Sequence, residues 1–412
     1  MIFLFLLVEV LIGSAVAEIH ATVWTQEMVQ NLFTAAGEVG ATVPAMIAHH
    51  GYMVETHHVT TYDGYILQMH RIPATPTSPA ATNKSAVFLM HGLLSSSADW
   101  VVMGPGKGLA YILADAGYDV WMGNARGNTY SKNHTTITDF AGKEFWDFEW
   151  HQIGYYDLPA MIDYTLTNTG QRKLIYVGHS QGTTSFYVMA SAKPEYNDKI
   201  NVMFSLAPVA YMGNLKSPLL RLTSTLVNTL EAIFDLFGEY EFLPKGDLIG
   251  LLGSKFCHDD ALTQFLCSNV LFLMCGFNKA QLNTTMLPVI FKHTPAGAST
   301  RQLVHYGQEI MFRKFRQYDY GPVLNLHHYH KITPPNYNLG RISAPVHLLY
   351  SDNDWMAAVS DVEKLYSELG NPVEKYRILD GKWNHLDFLW GINAKELVYN
   401  HILTTLENQY SN

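Results

Sequence analysis

Leu174-Ile175-Tyr176-Val177-Gly178-His179-Ser180-Gln181-Gly182 joins a short apolar run to a Gly-x-Ser-x-Gly pattern, and the residues beyond it, Thr183 to Ala192, can form a helix. A strand that turns sharply into a helix holds the residue at the turn in a strained backbone conformation and lifts its side chain clear of the sheet. Side chains at the two outer positions would collide with the neighbouring strand and helix, so small residues are required there, and Gly178 and Gly182 fill them. Ser180 is thereby the candidate nucleophile. The bare pattern arises by chance in many chains; the strand before it and the helix after it make it specific here.

Similar apolar runs recur on either side: Ala86 to Met90, Tyr118 to Trp121, Val202 to Leu206, Val346 to Tyr350 and Tyr376 to Leu379. They read as buried strands. Helix-length segments such as Gly106 to Ala116 and Asp157 to Asn168 lie between several of them, and this alternation predicts an α/β core with a mostly parallel sheet covered on both faces. The alternation stops between about Tyr211 and Ile332, where Leu and Phe fall at helical spacing. That predicts an inserted helical domain at 211–332, dividing the core into 18–210 and 333–412. Leu226, Leu230, Ile233, Phe234 and Phe237 give one apolar face, while Phe265 to Phe277 is nearly all apolar and too short to span a bilayer. Two readings stand for these stripes: they pack onto the core, or part of them covers an acyl-chain pocket as a lid.

A serine hydroxyl is a weak nucleophile at neutral pH and needs a base within hydrogen-bond reach and a carboxylate to steady that base. On an elbow of this kind the acid and then the histidine follow the serine along the chain. The strand Val346 to Tyr350 empties into Ser351-Asp352-Asn353-Asp354-Trp355, where Asp354 is the first choice of acid and Asp352 the second. After Tyr376 to Leu379 comes Asp380-Gly381-Lys382-Trp383-Asn384-His385, which places His385 at the same edge of the sheet as the candidate base. Attack on an ester creates an oxyanion that needs preorganised N–H donors. One is expected from Gln181, next to the nucleophile. The other is expected from Leu93, because Ala86 to Met90 runs straight into His91-Gly92-Leu93-Leu94, although Gly92 is also what a tight turn alone would use.

With 48% hydrophobic and 15% charged residues among 412, the chain has ample material for a core and no mark of disorder. A net charge of −9 with scattered Lys and Arg argues against a nucleic-acid partner. Residues 1–17 form an apolar run ending in Ala15-Val16-Ala17, read as a signal peptide cleaved before Glu18, with no membrane span left in the mature chain. Sequons at Asn83, Asn133 and Asn283 agree with passage through the secretory route. Cys257, Cys267 and Cys275 lie close together; an odd count leaves at least one thiol outside an internal bridge, and neither CxxC spacing nor a neighbouring histidine array suggests zinc. His49-His50, His57-His58 and His327-His328-Tyr329-His330 are discounted as metal ligands because adjacent side chains diverge. No metal or other cofactor is expected. Arg126 reads as a structural group, with Asp157 a candidate partner.

These segments together resemble the acid lipase family, which includes gastric, lysosomal and insect lipases. The likeness is carried by Gly51-Tyr52, Asp63-Gly64-Tyr65-Ile66-Leu67, Arg71-Ile72-Pro73, His91 to Leu94, Gly123 to Ser131, Tyr156 to Ala160, Gly178 to Thr183, Leu206 to Ala210, Asn353-Asp354-Trp355 and Asn384 to Phe388. It spans nearly the whole chain after residue 17. The resemblance implies an α/β-hydrolase fold with an inserted cap and lid, a triad of Ser180, Asp354 and His385, and oxyanion donors at Leu93 and Gln181. It also implies that Cys257 pairs with Cys267 while Cys275 stays free. Ala358 departs from the family, whose members often carry an acidic residue there, and the cap diverges more than the core.

The function so implied is hydrolysis of triacylglycerols or cholesteryl esters at an oil–water or membrane surface, outside the cell or in the lysosomal lumen, since sequons serve both routes. Two rivals remain on sequence grounds. One is a carboxylesterase acting on small soluble esters, which would lack interfacial preference. The other is a lipid-binding or storage protein that has kept the fold without turnover; it would have no use for Ser180, Asp354 and His385.

Overall fold

The computed structural model describes residues 41–81, 84–226, 234, 236–243 and 273–410. Its strands are β1 (Glu55–Thr60), β2 (Ile66–Ile72), β3 (Ala86–Met90), β4 (Asp119–Met122), β5 (Leu174–His179), β6 (Ile200–Leu206), β7 (Glu241–Phe242), β8 (Ala298–Ser299), β9 (Val346–Tyr350) and β10 (Pro372–Arg377). Eight of them form one sheet in the order β1-β2-β4-β3-β5-β6-β9-β10. The pairs from β4 to β10 are parallel, and β1 and β2 add an antiparallel end.

Side chains on a strand alternate between faces, and the apolar runs therefore feed two cores. Phe88, Met90, Trp121 and Tyr176 enter one, which the helices Leu158–Thr169, Gln181–Ala192 and Val359–Glu368 cover. Val87, Leu89, Ile175 and Val177 enter the other, beneath the helices Leu109–Asp115 and Asn400–Gln409. This is the layered α/β arrangement expected from the alternation of elements.

The hairpin β1–β2 was not legible as an apolar run. β1 is an edge strand whose residues alternate between half-buried and exposed, so its sequence, Glu-Thr-His-His-Val-Thr, is polar. The Asp63-Gly64 pair between the strands is the signal that could have found it, for Gly64 turns the chain at φ +97°. β10 also differs from expectation. The apolar run Tyr376 to Leu379 suggested the strand, yet the ladder with β9 runs through Pro372–Arg377, and Leu379 lies outside it, 88% exposed. As an edge strand, β10 is held by backbone pairing to one neighbour and needs no apolar run of its own.

Among the described residues, none between β6 and β9 joins the large sheet. The described part of this stretch holds the helices Pro218–Ser224, Leu287–His293, Thr300–Phe312 and Pro322–Tyr329, and the short ribbon of β7 with β8. Val289, Ile290, Tyr306 and Phe315 from it are buried in the two cores. Leu226 and Phe237 are exposed, whereas Leu230, Ile233 and Phe265 to Phe272 lie outside the described residues. Among the described residues no helix is long and apolar enough to cross a membrane.

Candidate active site

Ser180 sits between β5 and the helix that follows, at φ 51° and ψ −117°. An L-residue is held at such an angle only where its surroundings leave no alternative. The two glycines supply that constraint. A Cβ on Gly178 would lie 2.8 Å from the Gly182 carbonyl carbon, and one on Gly182 would lie 2.2 Å from the Met90 carbonyl oxygen. The N–H of Ser180 donates to the Leu206 carbonyl at 3.1 Å, tying the turn to β6.

His385 meets Ser180 from the loop after β10. The Ser180 hydroxyl and His385 Nε2 are 2.8 Å apart, and His385 Nδ1 lies 2.8 and 3.0 Å from the two oxygens of Asp354. A carboxylate only accepts, so Nδ1 carries the proton and Nε2 is free to receive one from the serine. Of the two acids left open by the sequence, Asp354 is the one in contact. Asp352 faces outward and is bound by Arg377, whose Nε donates to it at 3.0 Å. Asp354 Oδ1 also accepts from the N–H groups of Met356 and Ala357 at 2.9 and 2.8 Å. Burial pushes the Asp354 carboxyl up, but the electrostatic pull of His385 and these hydrogen bonds outweigh it and hold the group below its ordinary range. Ser180, Asp354 and His385 are 8%, 0% and 2% exposed, so the series of contacts is shielded from bulk water.

The His385 turn is braced by residues from the stretch before β8. Its N–H donates to the Cys275 carbonyl at 3.3 Å, and Asn278 donates to Asp387, whose Oδ2 also accepts from Asn384 N. The Cys275 thiol is buried and free, and burial pushes its pKa up, with the charges of Asp354 and Asp387 adding to the effect.

The His91-Gly92-Leu93-Leu94 loop abuts the elbow. A Cβ on Gly92 would stand 3.2 Å from Ser180 Cβ and from His179 Nδ1, while Gly92 is absent from the positive-φ positions. Close approach, rather than a tight turn, is what its small size serves. Ala125 N–H can only donate, so His91 Nε2 accepts it at 3.1 Å and Nδ1–H donates to the Gly92 carbonyl at 2.8 Å, fixing the loop. Burial pushes this imidazole down to about 4, keeping it neutral. Gln181 is the first residue of its helix, where a backbone N–H lacks an intrahelical partner. Its side-chain amide donates to Gln302 Oε1 at 2.7 Å.

Arg126 is 2% exposed and takes Asp157 through its Nε and N–H at 2.8 and 3.0 Å, as read from the sequence. Asp63, not anticipated, grips the other edge of the guanidinium at 2.6 and 2.9 Å. The histidine pairs have other occupations: His57 bonds Glu55 and Tyr164, and His328 stacks on Tyr320. Asn133 is exposed, and Asn283 Oδ1 accepts from Thr285 Oγ1 at 2.6 Å. Asn83, Cys257 and Cys267 lie outside the described residues.

Sequence reasoning missed His179. It had no signal beyond its place inside the elbow, and its partner is a backbone carbonyl 206 residues away, at His385, reached at 2.9 Å.

A family model described as a partial alpha/beta-hydrolase lipase region matches residues 43–104, and one described as alpha/beta hydrolase fold matches residues 85–240. The chain is 48% identical to Lipase 3 of Drosophila melanogaster over 87% of its own length and 91% of that protein's. It is 40% identical to the lysosomal acid lipase/cholesteryl ester hydrolase of Homo sapiens, over 90% of this chain and 91% of that one. A solved structure from Sulfolobus solfataricus shares the fold at a TM-score of 0.54 and 14% identity, covering 84% of this chain and 90% of that one. Identity of this order across nearly full lengths shows that the chain, with its elbow, HG loop and Asn-His turn, belongs to the acid lipase family of α/β-hydrolases.

Proposed function

We propose that this protein is a serine lipase that hydrolyses the carboxylic esters of neutral lipids, triacylglycerols or cholesteryl esters, through an acyl-enzyme. The observation that carries the reading is the 2.8 Å contact of His385 Nε2 with Ser180 Oγ, backed by Asp354 on the far side of the ring. His385 takes the hydroxyl proton as Ser180 attacks the ester carbonyl, and Asp354 steadies the imidazolium. The N–H groups of Leu93 and Gln181 receive the developing oxyanion. The imidazolium then protonates the departing alcohol. Water, deprotonated by His385, attacks the acyl-serine, and the fatty acid leaves with Ser180 restored. The names of the relatives, lipase and cholesteryl ester hydrolase among them, support this substrate class.

The same reading makes 1–17 a cleaved signal peptide, 211–332 a cap with a lid set into a core of 18–210 and 333–412, and Cys257–Cys267 a bridge. It places glycans on Asn83, Asn133 and Asn283, and the working protein outside the cell or in the lysosomal lumen. The test is a substrate panel on purified protein beside Ser180→Ala: emulsified long-chain triacylglycerol, cholesteryl ester and a dissolved short-chain ester. The wild type is expected to prefer the emulsions and the variant to lose all three activities. Preference for the dissolved ester would favour a small-ester carboxylesterase, and full activity in Ser180→Ala would remove the mechanism.

A further inference from the structure

We propose that the helix Pro322–Tyr329, with the turn that follows it, docks this protein on an anionic phospholipid surface. The inference rests on the lipase reading and adds to it a binding face built from residues outside the catalytic set.

A surface helix ordinarily turns its apolar side inward. This helix does the reverse. Asn325 is its buried residue, and the amide spans Asp319 Oδ1 at 2.7 Å and the Ile332 carbonyl at 3.1 Å while accepting from Tyr320 N at 2.9 Å. Tyr329, one turn on along the same side, donates its hydroxyl to the Tyr318 carbonyl at 2.9 Å. Hydrogen bonds therefore seat the helix, and its hydrocarbon points out: Val323 is 83% exposed, Leu324 52%, Leu326 54% and, just past the helix, Ile332 65%. The preceding helix, Thr300–Phe312, ends in the same manner, with Met311 and Phe312 exposed ahead of exposed Arg313 and Lys314.

Along the chain, the charge flanking this hydrocarbon is opposite to that of the whole, and the acids that other elements bring to its seat are engaged: Glu149 is buried against Tyr320, and Asp147 is paired with Arg301, which stacks on the same ring. Between Met311 and Ser351 there are five Lys and Arg and one acid, Asp319, in a chain of net charge −9. That acid is itself paired with Arg316 at 2.9 Å. Exposed Lys331 stands beside Ile332 at the end of the aliphatic row, and no Asp or Glu follows Asp319 before Asp352. Aliphatic side chains flanked by cations and spared acids suit a surface whose interior is hydrocarbon and whose face is negative. A protein partner would need a recess shaped to four protruding aliphatic groups, whereas a lipid leaflet needs none.

The test uses the full chain carrying Ser180→Ala, so that lipid is not consumed, and measures co-sedimentation with vesicles of phosphatidylcholine, with or without phosphatidylglycerol. Binding is expected to be at least about tenfold stronger to the anionic vesicles and to weaken with salt. Adding Val323→Asp and Leu326→Asp is expected to lower that binding at least about tenfold. Lys331→Gln, which changes only surface charge, is expected to lower it about fivefold. With Ser180 intact, the aspartate variant should hydrolyse a dissolved short-chain ester as the wild type does, showing that fold and site are preserved. Indifference to lipid charge, or equal binding by parent and variants, overturns the proposal. So does a shift in oligomeric state with unchanged vesicle binding, which would give the face to a second copy of the chain. A wild type inactive on every ester would remove the lipase reading instead, and vesicle binding would then be judged by itself.

Discussion

The imidazole of His179 holds the backbone of His385: its Nε2–H donates to the His385 carbonyl at 2.9 Å, in a site where both residues are 2% exposed. Only a protonated Nε2 can donate to a carbonyl, so the tautomer is set. Burial, then the His385 charge, push this imidazole down to about 3, and it stays neutral while His385 exchanges protons. The residue beside Ser180 thus orients the candidate base from behind. Replacing it with Leu leaves a buried carbonyl unpaired, at a cost of about 1–3 kcal/mol. The expected result for His179→Leu is a kcat at least about tenfold lower with KM little changed, partly rescued in His179→Gln, which keeps a donor. Steady-state kinetics on a dissolved ester decide it; an unchanged kcat would reduce the contact to packing.

Asp354→Asn should cost far more. An amide can present its NH2 to His385 Nδ1 and favour the wrong tautomer, leaving Nε2 protonated and unable to take the Ser180 proton. A fall in kcat of about 10⁴-fold is expected, with thermal unfolding close to wild type. Asp352→Asn, the neighbouring alternative, should leave kcat within about twofold, since Asp352 binds Arg377 at the surface. Equal losses in both variants would argue against the assignment.

Gly182→Ala tests the elbow. The added methyl would stand 2.2 Å from the Met90 carbonyl oxygen, and β3 is central to the sheet and has no freedom to retreat. Destabilisation of about 3 kcal/mol or more is expected, read as a lower denaturant midpoint or as failure to accumulate folded protein. A variant of wild-type stability would show that the elbow is looser than its contacts imply.

Asp99 supplies a pH dependence. It is 3% exposed in the turn Ser97–Trp100, and burial pushes its carboxyl up to about 7 against a weaker, opposing hydrogen bond from Ser95. Asp387 is likewise pushed up to about 7, first by burial. An unfolded aspartate titrates near about 3.9, so between about 4 and 7 the folded chain keeps protons the unfolded chain has released. Stability from these groups is present at acid pH and is lost as pH rises through that window. Buried neutral histidines such as His91 and His179 act with the opposite sign over this range, so the carboxyl is isolated by difference: calorimetry should find that the Tm of Asp99→Asn rises relative to that of the wild type as pH goes from about 4 to 7. A difference that stays constant over this range would rule out this group as a source of the dependence.

Arg126→Lys is expected to destabilise by about 3–5 kcal/mol, because a lysine cannot span the two carboxylates and leaves one buried acid short of its partner. The guanidinium also stacks 4.0 Å from the Tyr65 ring centroid, a contact the substitution weakens. Urea unfolding measures it, and a loss under about 1 kcal/mol would show that the cluster is dispensable.

The amino-acid sequence by itself determined the α/β core, the elbow at Ser180, the HG loop and the place of His385, and it narrowed the acid to Asp354 or Asp352. Each of these is written in a few contiguous residues: apolar runs that can only be buried, glycines where no Cβ fits, and acid and base on loops leaving successive strands. What the tertiary structure decided is everything that depends on residues distant in the chain. It chose Asp354 over Asp352, because one carboxylate points at His385 and the other at Arg377. It gave Gly92 its reason in the approach to Ser180, added Asp63 to the Arg126 cluster, and set His179 behind His385. It also revealed β1 and shifted β10, edge strands held by backbone pairing that leaves little mark on composition. Local pattern reports burial and turn geometry, whereas the direction of a side chain across a gap of tens or hundreds of residues exists only once the sheet has brought its two ends together.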